Sequence, residues 1–193
     1  MSAKAKSAKA KGARTAKKTA SAKAKGTKTK STKSGSVKTG SVKVGAKAPD
    51  FEMPTDGGGE VSLKSLKGKN VVLYFYPKDD TPGCTTEACA FRDSLPDFSK
   101  VKAAIIGVSR DDLKSHEKFK KKFKLPFPLA SDEDGKVCAA YGVWVEKSMY
   151  GRKYFGVERS TFLIDGKGIL RNIWRKVKVD GHADEVLAAV KEL

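Results

Sequence analysis

The stretch Thr81-Pro-Gly-Cys84-Thr-Thr-Glu-Ala-Cys89 carries two of the chain's three cysteines five positions apart, and thiol chemistry is the first chemistry these residues suggest. It follows the apolar run Val71-Val-Leu-Tyr-Phe-Tyr76 and leads into Ala, Leu and Phe at helical spacing. Cys84 is therefore expected in the first turn of a helix that begins where a strand ends, a usual ligand position in an open α/β sheet. Unpaired backbone N–H groups and the positive end of the helix dipole favour thiolate over thiol there. Cys89 falls about 7.5 Å further along the helix axis and about 140° around it. In an intact helix the two Cα atoms lie beyond the roughly 7 Å limit for a bridge, so a disulfide between them requires local unwinding. The competing reading is two small hydrophobes buried in a helix.

Other candidates read as structural. Cys138, among small apolar residues in Lys136-Val-Cys-Ala-Ala-Tyr141, is expected to be packed, with a resolving role as the alternative. His116 and His182 lie in charged helical surroundings and read as solvated. Glu87 is assigned to the first helical turn through the dipole. Taken alone, Arg159 reads as a surface ion pair with Asp79 or Asp80, and Thr81 as a turn residue. Tyr141, Trp144 and Trp174 read as core or pocket wall, and Gly57 to Gly59 as a turn without the context of a phosphate loop. Cys and His do not recur at ligand spacing, so no metal site is expected.

The elements that must hold Cys84 alternate along the chain. Val71–Tyr76 has the pattern of a strand buried on both faces, ended by Pro77, with Pro82-Gly83 as a turn. A helix from Cys84 to about Phe98 follows, then a strand over Lys102–Ser109, a helix from Asp111 to about Phe123, an extended piece at Leu125–Leu129 and a short helix around Asp134–Tyr141. Thr161–Asp165 and Gly168–Trp174 flank Gly166-Lys167 as a hairpin, and Asp180–Leu193 closes the chain as a helix. The fold class is α/β, a mixed sheet with parallel central strands and helices on both faces.

Charge divides the chain. Residues 1–48 hold 14 Lys, Arg14 and no acid, so they carry +15 of the net +18 and leave +3 for the other 145 residues. The segment has no aromatic residue and only Val37, Val42 and Val44 as β-branched apolar residues, too little to offset ordering entropy. A disordered basic tail over 1–45 and one domain over 46–193 are expected. The tail reads as a polycation for non-specific nucleic-acid contact through residues 1–48, or as a solubilising appendage. Apolar runs long enough to span a bilayer are missing, and three clustered cysteines do not form a secreted disulfide framework, so no membrane contact and a reducing compartment are expected.

Pro77-Lys-Asp-Asp-Thr81-Pro-Gly-Cys84 fits the Pro-x-x-x-Thr-x-x-Cys signature of peroxiredoxins. With Cys89 five residues on, the chain resembles the peroxiredoxin Q, or bacterioferritin comigratory protein, subgroup. The similarity continues through Ser131–Gly135, Tyr141–Trp144 and Arg159–Asp165 and covers about residues 44–193. The resemblance implies a thioredoxin-like fold and reduction of hydrogen peroxide and organic hydroperoxides without metal, haem or other cofactor, with thioredoxin as electron donor. It also implies that Cys84 is the peroxidatic cysteine, Cys89 the resolving cysteine, Thr81 and Arg159 polar partners, and Pro77 a lid. A monomer is expected, in the bacterial cytoplasm near the nucleoid, or in the nucleus of a eukaryote. The rival readings are a histone-like DNA-protecting protein and a redox-regulated holdase.

Overall fold

A computed structural model describes residues 42–149 and 151–193, and the expectations placed on residues 1–41 lie outside the described residues. The fold is built on β3 (Asn70–Phe75), whose side chains alternate between two separate cores. Val71, Leu73 and Phe75 enter one, while Val72 and Tyr74, followed by Tyr76, enter the other. Alternation with every position apolar is what a strand covered on both faces requires. Full burial of each such side chain contributes about 1.5–3 kcal/mol, so β3 is firmly anchored between the two cores.

β3 pairs in parallel with β4 (Ala103–Ser109), which pairs in parallel with β5 (Leu129–Ser131). On its other side β3 pairs antiparallel with β8 (Ser160–Ile164), itself antiparallel to β9 (Leu170–Trp174). A hairpin of β1 (Glu52–Thr55) and β2 (Gly59–Ser62) completes a seven-stranded sheet in the order β2-β1-β5-β4-β3-β8-β9. Three helices contribute to the second core: α1 (Pro82–Lys100), α2 (Leu113–Phe123) and α4 (His182–Lys191). The short α3 (Lys136–Ala140) contributes Val137 and Cys138 to the first. The α/β class, the parallel centre and the β8–β9 hairpin match expectation, and the arrangement is that of the thioredoxin-like fold.

Several details differ from the sequence reading: Pro82 and Gly83, expected as a turn, are the first two residues of α1, and the β1–β2 hairpin was not among the expected elements. Asp112 accepts from the Ser115 N–H at 2.7 Å and so caps α2, which moves its start to Leu113. A second, two-stranded sheet, β6 (Trp144–Met149) with β7 (Arg152–Val157), was not expected. Its polar stretches carry no apolar alternation, and the turn depends on Gly151 at φ 75. Residues on the tail side of the expected boundary are also engaged: Val42 packs against the first core, and Gly45 N–H donates to Leu170 O at 2.8 Å.

Candidate active site

Cys84 is buried at the third position of α1, directly beyond the end of β3. Pro82 opens the helix with a φ already suited to it and no N–H to lose. Thr85 N–H donates to Thr81 O at 2.8 Å, so the N–H groups of Gly83 and Cys84 belong to the turn that has no acceptor within the helix. The Thr81 side chain does not cap this end; its hydroxyl donates to Lys78 O at 3.0 Å. α1 runs unbroken through Cys89, which is half-buried, and all three cysteines are free thiols.

Arg159 lies in the short connection between β7 and β8 and is held on both sides. Glu158 N–H donates to Val143 O at 2.7 Å, and Val177 N–H donates to Arg159 O at 3.0 Å. Its guanidinium crosses the mouth of α1, where Nη2 donates to Cys84 Sγ at 3.3 Å and Nη1 to Glu87 Oε2. Gly83 makes this approach possible, since a Cβ there would stand 3.2 Å from Nη2. The planar guanidinium thus spans Cys84 Sγ and Glu87 Oε2, one helical turn apart, which a single ammonium cannot do.

Four readings made from residue type alone need correcting. Glu87, assigned to the first helical turn through the dipole, instead turns to Arg159: it is 2 % exposed, pairs with that guanidinium, and leaves Oε1 buried without a partner. Burial outweighs the Arg159 charge and pushes its carboxyl up to about 7. Arg159 in turn does not pair with Asp79 or Asp80. Asp80 binds Lys122 at 2.7 Å, and Asp79 turns inward to His116 and Tyr76. Both histidines, expected in solvent, are buried: His116 Nδ1 lies 2.8 Å from Asp79 Oδ2, and His182 Nε2 lies 2.8 Å from Thr161 Oγ1. Burial holds the His182 imidazole below its usual range, with Glu185 opposing. Isolated His and Glu in a charged helix give no sign of which helical face meets the sheet, so residue type alone misplaced them.

Of the five residues expected at the site, the fold brings Cys84 and Arg159 into contact and sets Thr81 at the head of the same helix. Cys89 lies further along α1, and Pro77 is exposed at the end of β3. Two further residues escaped the sequence reading. Lys147 on β6 is half-buried and donates to Val157 O at 2.6 Å. Burial lowers its ammonium, Glu158 opposes this, and the charges of Arg159 and Cys84 also reach it. Tyr74 lies behind the site with its hydroxyl buried and unpartnered; burial, then Glu87, Asp79 and Cys84, push the phenol well above its ordinary value. Lys147 could have been found through the Gly151 turn that makes β6 and β7 a hairpin. Cys138 is packed as expected: burial first, then Asp132, pushes its thiol far up and away from thiolate chemistry.

A helix-mouth thiol held by one guanidinium and screened from solvent suits nucleophilic attack on a small electrophile. The AhpC/TSA family model matches residues 44–173. The chain is 54% identical over 147 residues to peroxiredoxin Bcp of Bacillus subtilis, covering 76% of this chain and 94% of that one. It is 51% identical over 146 residues to peroxiredoxin Bcp of Xanthomonas campestris, covering 75% and 91%. Among solved structures, Xanthomonas campestris peroxiredoxin Q superposes with a TM-score of 0.71 at 51% identity, over 74% of this chain and 90% of that one. A bacterioferritin comigratory protein of the same organism, described for its alkyl peroxide reduction activity, gives 0.71 at 50% identity over the same shares.

Proposed function

Because this chain belongs to the AhpC/TSA family, in its Bcp or peroxiredoxin Q subgroup of thiol peroxidases, we propose that it reduces hydrogen peroxide and alkyl hydroperoxides through Cys84. The observation that carries this reading is the Arg159 guanidinium bridging Cys84 Sγ and Glu87. Alkyl hydroperoxides enter through the Xanthomonas relative described for that activity.

In the first step the Cys84 thiolate attacks one peroxide oxygen and breaks the O–O bond. Cys84 is oxidised to sulfenic acid, and the other oxygen leaves as alkoxide or hydroxide and takes a proton. Arg159 Nη2 supports negative charge as it passes from sulfur to the leaving oxygen. The Thr81 hydroxyl spends its proton on Lys78 O, so toward substrate it serves as an acceptor for the hydroperoxide O–H. Pro77 offers no N–H and walls the pocket. In the second step Cys89 thiolate attacks the sulfenic sulfur, forming the Cys84–Cys89 disulfide and releasing water once a proton is supplied. Because α1 holds both cysteines in one continuous helix, its first turn must open for this to happen. Thioredoxin's dithiol then reduces the disulfide and is itself oxidised.

The enzyme works as a monomer in a reducing cytoplasm. Residues 1–48, with +15, tether it to nucleic acid through phosphate contacts without reading sequence. Peroxide-dependent NADPH consumption in the presence of thioredoxin and thioredoxin reductase tests the enzyme, and activity surviving Cys84→Ser would refute it. For the tether, DNA affinity of the full chain should fall steeply with salt, and an equal affinity after replacing the tail lysines by glutamine would end that idea.

A further inference from the structure

Asp79 is the one buried residue of the 77–81 loop that leads from Tyr76 to α1. Pro77, Lys78 and Asp80 around it are exposed, and Asp80 holds the left-handed φ of 54 that turns the chain toward Thr81. The Asp79 side chain has two donors inside the protein: Tyr76 hydroxyl to Oδ1 at 2.7 Å and His116 Nδ1 to Oδ2 at 2.8 Å. A carboxylate can only accept, so His116 carries its proton on Nδ1, and its Nε2 is buried without a hydrogen-bond partner. The Asp79 backbone N–H donates to Asp111 Oδ2 at 2.8 Å, and the same oxygen accepts from Ser109 Oγ at 2.8 Å. One loop residue is thereby fixed to the end of β3, to the end of β4 and to α2.

We propose that Tyr76, Asp79 and His116 are positioning residues for the peroxide step: they hold the 77–81 loop so that Lys78 O takes the Thr81 proton and leaves Thr81 Oγ1 as the acceptor for the hydroperoxide. The inference rests on the roles given above to Cys84 and Thr81. It assigns work to a buried histidine and aspartate that do not touch Cys84. Asp79 is this loop's sole buried anchor, so weakening it lets Thr81 drift, and misplacement by about 1 Å can cost up to about 100-fold in rate.

The test compares two reactions of the same thiol in the full chain carrying Cys89→Ser, so that oxidation stops at Cys84. Quenched-flow mass spectrometry reads Cys84 oxidation by hydrogen peroxide, and iodoacetamide alkylation reads the thiolate without needing Thr81 as an acceptor. Tyr76→Phe and His116→Gln should each slow oxidation about tenfold while alkylation stays within about twofold. Val190→Ala, a core truncation in α4, should lower the melting temperature without changing the ratio of the two rates. An unchanged ratio in Tyr76→Phe and His116→Gln, with only a lower melting temperature, overturns the proposal. So does a parallel fall of both rates. If His116→Gln does not fold, Tyr76→Phe decides alone, since it removes a single hydroxyl. Failure of Cys84 itself to oxidise without either substitution overturns the proposed function, a result distinct from an unchanged ratio.

Discussion

Glu87→Gln isolates the electrostatic cost built into the site. The substitution keeps shape and removes a titration: in the folded protein the carboxyl sits at about 7, against 4.5 for the free group. At 1.36 kcal/mol per pH unit, that difference corresponds to about 3 kcal/mol, appropriate to a side chain only 2 % exposed. A folded value above the unfolded one means that the native state holds the proton more tightly. Glu87 therefore contributes its stability fully below about pH 4.5 and loses it as pH rises through 7. Glutamine does not titrate, so the stability of Glu87→Gln relative to the parent should rise by about 3 kcal/mol between pH 4.5 and 8.

Urea unfolding of both reduced proteins across that range measures the difference directly, and groups common to both cancel. The urea slopes should agree, because the same surface is exposed on unfolding. A Cys84→Ser background in both proteins removes the neighbouring thiol from the comparison. A difference that stays flat from pH 4.5 to 8 would refute the reasoning, since it would mean that the Arg159 pairing keeps Glu87 ionised throughout and that burial does not dominate.

Three other outcomes follow from the same geometry. Arg159→Lys should lower the rate of Cys84 oxidation by about 100-fold, because one ammonium cannot serve Sγ and Glu87 together; stopped-flow peroxide kinetics check it. Gly83→Ala should give effects of opposite sign: up to about 1 kcal/mol more stability from helix propensity, and a peroxide rate lower by about three- to tenfold as the new Cβ presses Nη2, read by urea melts and the same kinetics. Cys89→Ser should permit one rapid oxidation of Cys84 and then stall with thioredoxin, with sulfinic acid accumulating in the mass spectrum; full steady-state turnover would make Cys89 a bystander.

What the sequence made legible depends on how local each signal is. The double-sided burial of Val71–Tyr76 and the helical pattern after Cys84 are written in consecutive residues, so the strand, the helix and the place of Cys84 in its first turn could be read directly, although the helix takes in the Pro82-Gly83 pair read as a turn. The contact between Arg159 and Cys84 spans 75 positions, and only the resemblance to a family joined them. Glu87 and His116 were misread for a different reason. Each is polar, and a polar residue is solvated unless something inside the fold meets it; their partners, Arg159 and Asp79, come from other segments. The β6–β7 hairpin escaped because both strands are rich in charge, and so was Lys147, which only that hairpin brings near the thiol.

Residues 45–48 meet the sheet at the end away from the chemistry. Lys47 bridges to Ile169, and Lys47, Lys64, Lys67 and Lys167 line a shallow cavity of about 230 Å³ beside Val71, near the start of β3, whereas Cys84 lies beyond that strand's other end. Six strand residues at about 3.3 Å each put roughly 20 Å of rigid sheet between the two. A label placed on Lys64 or Lys67 is therefore carried at the end of the sheet away from Cys84.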